Sequence, residues 1–133
     1  MQTIRFGVSL PKELIDRFDR TIQKKNYSNR SEAIRDLIRK SLIEEDINTN
    51  KIVLGVLHIL YDHHKRELSD KLTALQHDNH DLIISTTHVH LNHDDCLEVI
   101  LLKGKVELIR LLSDKMIAVK GVKNGKLFLT AEV

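Results

Sequence analysis

The stretch Ile4–Phe18, IRFGVSLPKELIDRF, changes its period at Pro11. Before the proline, Phe6, Val8 and Leu10 alternate with Arg5, Gly7 and Ser9, which gives a strand with one apolar face and one nearly bare face. After it, with Pro11 at the first helical position, Leu14, Ile15, Phe18 and Ile22 recur at helical spacing until a stop near Lys25 and Asn26. Asn29 followed by Glu32 reads as a capping box, and Ile34, Leu37, Ile38 and Leu42 carry a second amphipathic helix. Residues 1–46 therefore read as strand, helix, helix. A lone strand has nothing in its own chain to pair with, so two copies are expected to interlock as an antiparallel ribbon, an obligate dimer.

Outward from this unit, EEDINTN (44–50) is polar apart from Ile47, and residues 47–50 are expected to form a linker. Residues 51–133 then read as strand 52–61, helix 63–76, strand 82–91, strand 96–103, helix 106–119 and strand 121–131. NHDD makes a hairpin turn and KGK a strand-to-helix break. The β-α-β-β-α-β order predicts a ferredoxin-like sandwich with its helices on one sheet face, so the whole chain is α+β. Two halves this small gain core by assembling, and a homo-oligomer is expected.

The 133 residues contain one cysteine, which excludes an intrachain disulfide, and the longest apolar run, Ile52–Leu57, is too short to span a bilayer. The N-terminal residues show no positive leader with a cleavage site, and the expectation is a cytoplasmic protein with no membrane partner. The net charge of +2 hides an asymmetry: ten Lys and Arg against five Asp and Glu through Lys40, eleven of each from Lys51 onward. The basic excess lies in the strand-helix-helix unit.

TTHVHLNHDDCLEV (86–99) holds three histidines and the single cysteine. His88 and His90, two apart on a strand, leave the same sheet face, and the hairpin brings Cys96 alongside. His77, at the end of the preceding helix, could supply a fourth ligand from the same chain or across a subunit interface. Such N and S donors suit a divalent transition metal and exclude Ca²⁺ or Mg²⁺; spacing leaves zinc, nickel and copper open. Glu98 would share the face of Cys96 and support a ligating histidine. The plainer alternative is surface histidines around one buried thiol, but five of the eight histidines fall between His77 and His93. His80 and His93 read as bystanders, and His58, His63 and His64 as solvent or core residues.

A paired ribbon exposing Arg5, Gly7 and Ser9 has the shape and charge to enter the major groove of double-stranded DNA. Arg5 could donate two bonds to a guanine edge, and Asn29 and Arg30 at the start of the second helix form a phosphate seat. The alternative is a dimerisation module with a basic strand. Glu32 and Asp36, one turn apart, could hold a hard cation such as K⁺, although ion pairs to Arg35, Arg39 or Lys40 are the simpler reading. Nucleotide-binding loops, the G-x-S-x-G elbow and the H-x-E with C-x-x-C deaminase pattern are absent, so no enzyme is expected.

Taken together, RFGVSLPKELIDRFD, NRSEAIRDLIR, LQHDNHD, THVHLNHDDCLEVILLKG and KGVKNGKL resemble the nickel-responsive transcriptional regulators over essentially the whole chain. The resemblance implies a ribbon-helix-helix DNA-binding domain joined to an ACT-like metal-binding domain. It further implies a homotetramer, a dimer of dimers, that represses nickel uptake genes when one Ni(II) per subunit is bound. It assigns His88, His90 and Cys96 of one subunit and His77 of a neighbour to a square-planar site, with Glu98 as the supporting carboxylate. Arg5, Gly7 and Ser9 match the strand residues that face DNA; Gly7 departs from members with Thr or Ser there, which bears on the operator. Glu32 and Asp36 match carboxylates of a second cation site between the domains. A ribbon-helix-helix regulator of another metal, or of a small ligand such as an amino acid, is the alternative.

Overall fold

The computed structural model describes residues 1–133, which form two compact units, Met1–Ser41 and Leu42–Val133. In the first, Met1–Pro11 is exposed throughout and takes part in no regular element. The expected strand is therefore not formed within one chain. The reason is physical: residues 4–10 have no second strand to accept their backbone hydrogen bonds, and Phe6 and Val8 stay 67% and 64% exposed.

Helix α1 runs Lys12–Lys24 with Pro11 as its N-cap, one position before the expected one. The Pro11 carbonyl accepts from the amides of Leu14 and Ile15 at 3.1 and 3.2 Å, so the proline closes the first turn from outside. Asn26, at φ 62°, ends the helix in the left-handed region. Helix α2 runs Arg30–Asn48, capped by Asn29, whose Oδ1 accepts the Glu32 amide at 3.0 Å. Only this half of the expected capping box forms. The residues expected as a linker are also corrected: Ile47 and Asn48 are helical, because no glycine or proline stops α2, and Ile47 packs on the core of the second unit. The chain turns instead at Thr49 and Asn50, the latter at φ 53°.

The second unit follows with β1 (Ile52–Asp62), α3 (Arg66–Asp78), a 3-10 turn (His80–Leu82), β2 (Ile83–His90), β3 (Asp95–Lys105), α4 (Val106–Ile117) and β4 (Val122–Thr130). The four strands form one antiparallel sheet in the order β2-β3-β1-β4, the ferredoxin-like arrangement. Val53, Leu57, Ile59 and Tyr61 of β1 and Ile100 and Leu102 of β3 point to the helix-covered face, where they pack with Leu68 and Leu72 of α3 and Ile109, Leu112 and Met116 of α4. The opposite face bears Val56, Val89, Leu101 and Phe128, each at least a third exposed.

Most boundaries shift by one or two residues from the sequence reading, and two of the shifts have identifiable causes. Asp62 Oδ1 accepts the His64 amide and its carbonyl accepts the Lys65 amide, a turn that holds the start of α3 back to Arg66. KGK is strand up to Lys105, not a break, because Gly104 pairs with Val53. A Cβ at Gly104 would come 2.6 Å from Leu82 Cδ2, so glycine lets the 3-10 turn lie against the strand.

Candidate metal centre and nucleic-acid face

The hairpin β2-β3 decides where the histidines go. His88 lies opposite Glu98 and His90 opposite Cys96, so all four side chains leave the sheet on the helix-covered face. Cys96 is buried, and its Sγ is 3.9 Å from His88 Nδ1. That separation is within the span of two donors held at about 2.1 and 2.3 Å from one divalent ion. A thiol and imidazoles are donors that nickel accepts, so the residues present fit the metal that the sequence resemblance implies.

Glu98 is 1% exposed and anchors this region. Its Oε2 accepts the Tyr61 hydroxyl at 2.8 Å and stands 3.7 Å from His88 Nδ1, while its Oε1 accepts the Gln76 amide. Thr86 Oγ1 donates to Gln76 Oε1 at 2.9 Å, tying α3 to β2. Burial, then the bond to Glu98, pushes the Tyr61 hydroxyl well above its ordinary pKa. Sequence reasoning placed Glu98 beside the metal candidates but missed Tyr61, Gln76 and Thr86. The available signals were the alternation that puts Tyr61 on the apolar face of its strand and the position of Gln76 immediately before His77; the pairing of Tyr61 with Cys96 comes from the strand register.

His77 is exposed near the end of α3, its ring 6.5 Å from that of His80. His90 meets His63 edge-on at 4.8 Å between ring centroids. The three residues whose candidate ligand atoms all lie within 4.8 Å of one another are different ones, His64, His93 and Asp94.

In the first unit Arg5, Gly7 and Ser9 are all exposed, and a Cβ at Gly7 would meet nothing within 4 Å. Arg30 is engaged: its Nε and Nη2 donate to the two carboxylate oxygens of Asp19 at 2.8 and 2.7 Å. That bond holds the Asp19 carboxyl below the usual carboxylate range. Asp36 accepts the Tyr27 hydroxyl at 2.5 Å and lies 3.4 Å from Arg39 Nη1, and these contacts lower its pKa, Tyr27 most. Glu32 and Asp36 thus have distinct surroundings, a helix cap and a tyrosine–arginine pair.

Residues 54–130 match the family model described as NikR C terminal nickel binding domain, and residues 4–45 match Ribbon-helix-helix protein, copG family. A protein of Desulfovibrio desulfuricans named "Putative nickel-responsive regulator" is 55% identical over 121 residues, 91% of this chain and 88% of that one. Proteins of the same name from Nitratidesulfovibrio vulgaris and Geobacter sulfurreducens are 52% and 50% identical over 130 residues, 97% of this chain and 94% of each. Among solved structures, an uncharacterized protein of Thermotoga maritima aligns with TM-score 0.54 at 18% identity, covering 59% of this chain and 98% of its own; the likeness is one of fold.

Proposed function

The chain belongs to the nickel-responsive regulator family, DNA-binding proteins and not enzymes, and from that premise we propose that it represses nickel uptake genes in the cytoplasm when Ni(II) is bound. The observation that carries the site is the strand register that sets His88 and His90 directly opposite Glu98 and Cys96, with sulfur and imidazole nitrogen 3.9 Å apart. His88, His90 and Cys96 would hold one Ni(II) per subunit, with His77 arriving from a neighbouring subunit. Bound there, Ni(II) would supply the Lewis-acidic centre to which the thiolate and imidazoles bind. The chain's own part is to fix those ligands: Glu98, held by Tyr61 and Gln76, sets a buried carboxylate beside the His88 ring, and Gln76 connects Glu98 to the helix that ends beside His77.

On the DNA side, Arg5, Gly7 and Ser9 are the proposed groove-facing residues, with Asn29 and Arg30 set toward phosphate. The Asp19 pair orients the Arg30 guanidinium and must share it with a phosphate. Two features support a homotetramer built as a dimer of dimers. Phe6, Val8 and Leu10 await a second strand, and the apolar sheet face of the second unit is uncovered. Potassium at Glu32 and Asp36 would compete with Tyr27 and Arg39 for Asp36.

The test begins with Ni²⁺ titration followed by absorption. A thiolate-to-nickel band that saturates at one ion per chain and is lost in Cys96→Ala is expected; a featureless titration removes Cys96 from the site. DNA selected from a random pool in the presence of Ni²⁺ then serves for affinity measurement at fixed salt. Ni²⁺ should tighten binding, and DNA should tighten Ni²⁺ binding by the same factor. His77→Ala should lose the enhancement with the first unit still folded. Equal affinity with and without metal overturns the proposal.

A further inference from the structure

Two turns of the second unit meet at the end of the sheet where Asp62 pairs with Asp95. One is the β1–α3 turn with His63 and His64; the other is the hairpin turn with His93 and Asp94. The His63 amide donates to the Asp94 carbonyl at 3.0 Å, which locks the turns together. On that frame His64 Nε2 stands 2.9 Å from the His93 carbonyl oxygen and 3.6 Å from Asp94 Oδ1, and the His64 and His93 rings lie 5.0 Å apart. None of these three residues belongs to the set His77, His88, His90 and Cys96.

We infer that His64, His93 and Asp94 form a second, independent binding site for a divalent transition ion, held within a single chain. The donor set argues its class. Two imidazoles and one carboxylate select a borderline ion such as Ni²⁺, Co²⁺ or Zn²⁺ over Mg²⁺ or Ca²⁺, which take oxygen ligands. Three protein ligands leave coordination positions open to water, and all three side chains are exposed, so the ion exchanges readily and binds more weakly than at a site with a thiolate. The rings need only small rotations, because candidate ligand atoms already lie within 4.8 Å of one another. His64 would turn its Nε2 lone pair to the ion and carry its proton on Nδ1. His63 lies between this cluster and the hairpin ligands: its ring is 4.1 Å from that of His64 and 4.8 Å from that of His90.

The full-length Cys96→Ala protein, titrated calorimetrically with Ni²⁺ alone, isolates this site from the one proposed above. A saturable step of one ion per chain should persist there, withstand excess Mg²⁺, and weaken at least about tenfold when His64→Ala or His93→Ala is added. His80→Ala, which removes an exposed histidine outside the cluster, should leave it unchanged. Absence of the step in Cys96→Ala, or a step indifferent to both His64→Ala and His93→Ala, overturns the inference. The two proposals fail separately. Loss of the thiolate band in wild type condemns the Cys96 site alone, and a His64-independent step condemns only this one.

Discussion

At the scale of single residues, Glu98 is the most consequential side chain in the second unit, because a carboxylate 1% exposed persists only if its oxygens are satisfied. Tyr61 and Gln76 provide the donors. Tyr61→Phe keeps the shape and removes one donor, and it should lower stability by about 1–3 kcal/mol in urea unfolding. Unchanged stability would mean that water replaces the hydroxyl. A second prediction concerns the Asp19–Arg30 pair. A carboxyl whose folded pKa is depressed contributes stability above its unfolded value and loses that contribution as pH falls through the folded value. The pair should therefore outlast an ordinary aspartate on acidification from 3.8 downward, and Arg30→Ala should return the Asp19 midpoint to the ordinary range in a carboxyl NMR titration. A midpoint unaffected by Arg30→Ala would contradict it.

At the scale of elements, β4 crosses close over its neighbours at Gly125. A Cβ there would lie 2.8 Å from Ile117 Cγ1 and 3.0 Å from the His58 carbonyl oxygen. Gly125→Ala should cost about 1–3 kcal/mol by thermal or urea unfolding, a backbone atom being unable to yield as a side chain can. A neutral substitution would show that the strand end shifts freely. Element order and type in the second unit are legible from the chain because each strand alternates and each helix shows its period, and Cys96, Glu98 and His88 share a face by that alternation alone. What escaped was set by particular contacts that the period of the sequence does not carry. The late start of α3 depends on the Asp62 turn, and the strand character of Gly104 depends on Leu82. The meeting of His64 with His93 depends on a β1–β3 register that no local pattern encodes. The helix through residues 47 and 48 was readable from the absence of a breaker, but the polarity of the stretch suggested a loop.

At the scale of the whole molecule, each unit leaves apolar surface uncovered, and the proposed pairing is open to test there. Phe6→Asp places a charge on the face that Val8 and Leu10 share, and in a symmetric pair it acts twice. With about 1.5–3 kcal/mol for each buried phenylalanine, the pairing should weaken at least about a hundredfold in sedimentation equilibrium, while the second unit keeps its own cooperative unfolding. Association that survives Phe6→Asp would mean that another surface holds the pair. The extended segment also sets a clock. The backbone groups of Ile4–Leu10 find no partner in their own chain, so in the proposed ribbon pair completing the first unit would be a second-order reaction whose rate rises with the square of chain concentration. On that pairing a newly made chain would be ready to read DNA only after it had met another, so the delay between synthesis and control would lengthen as the protein became scarce.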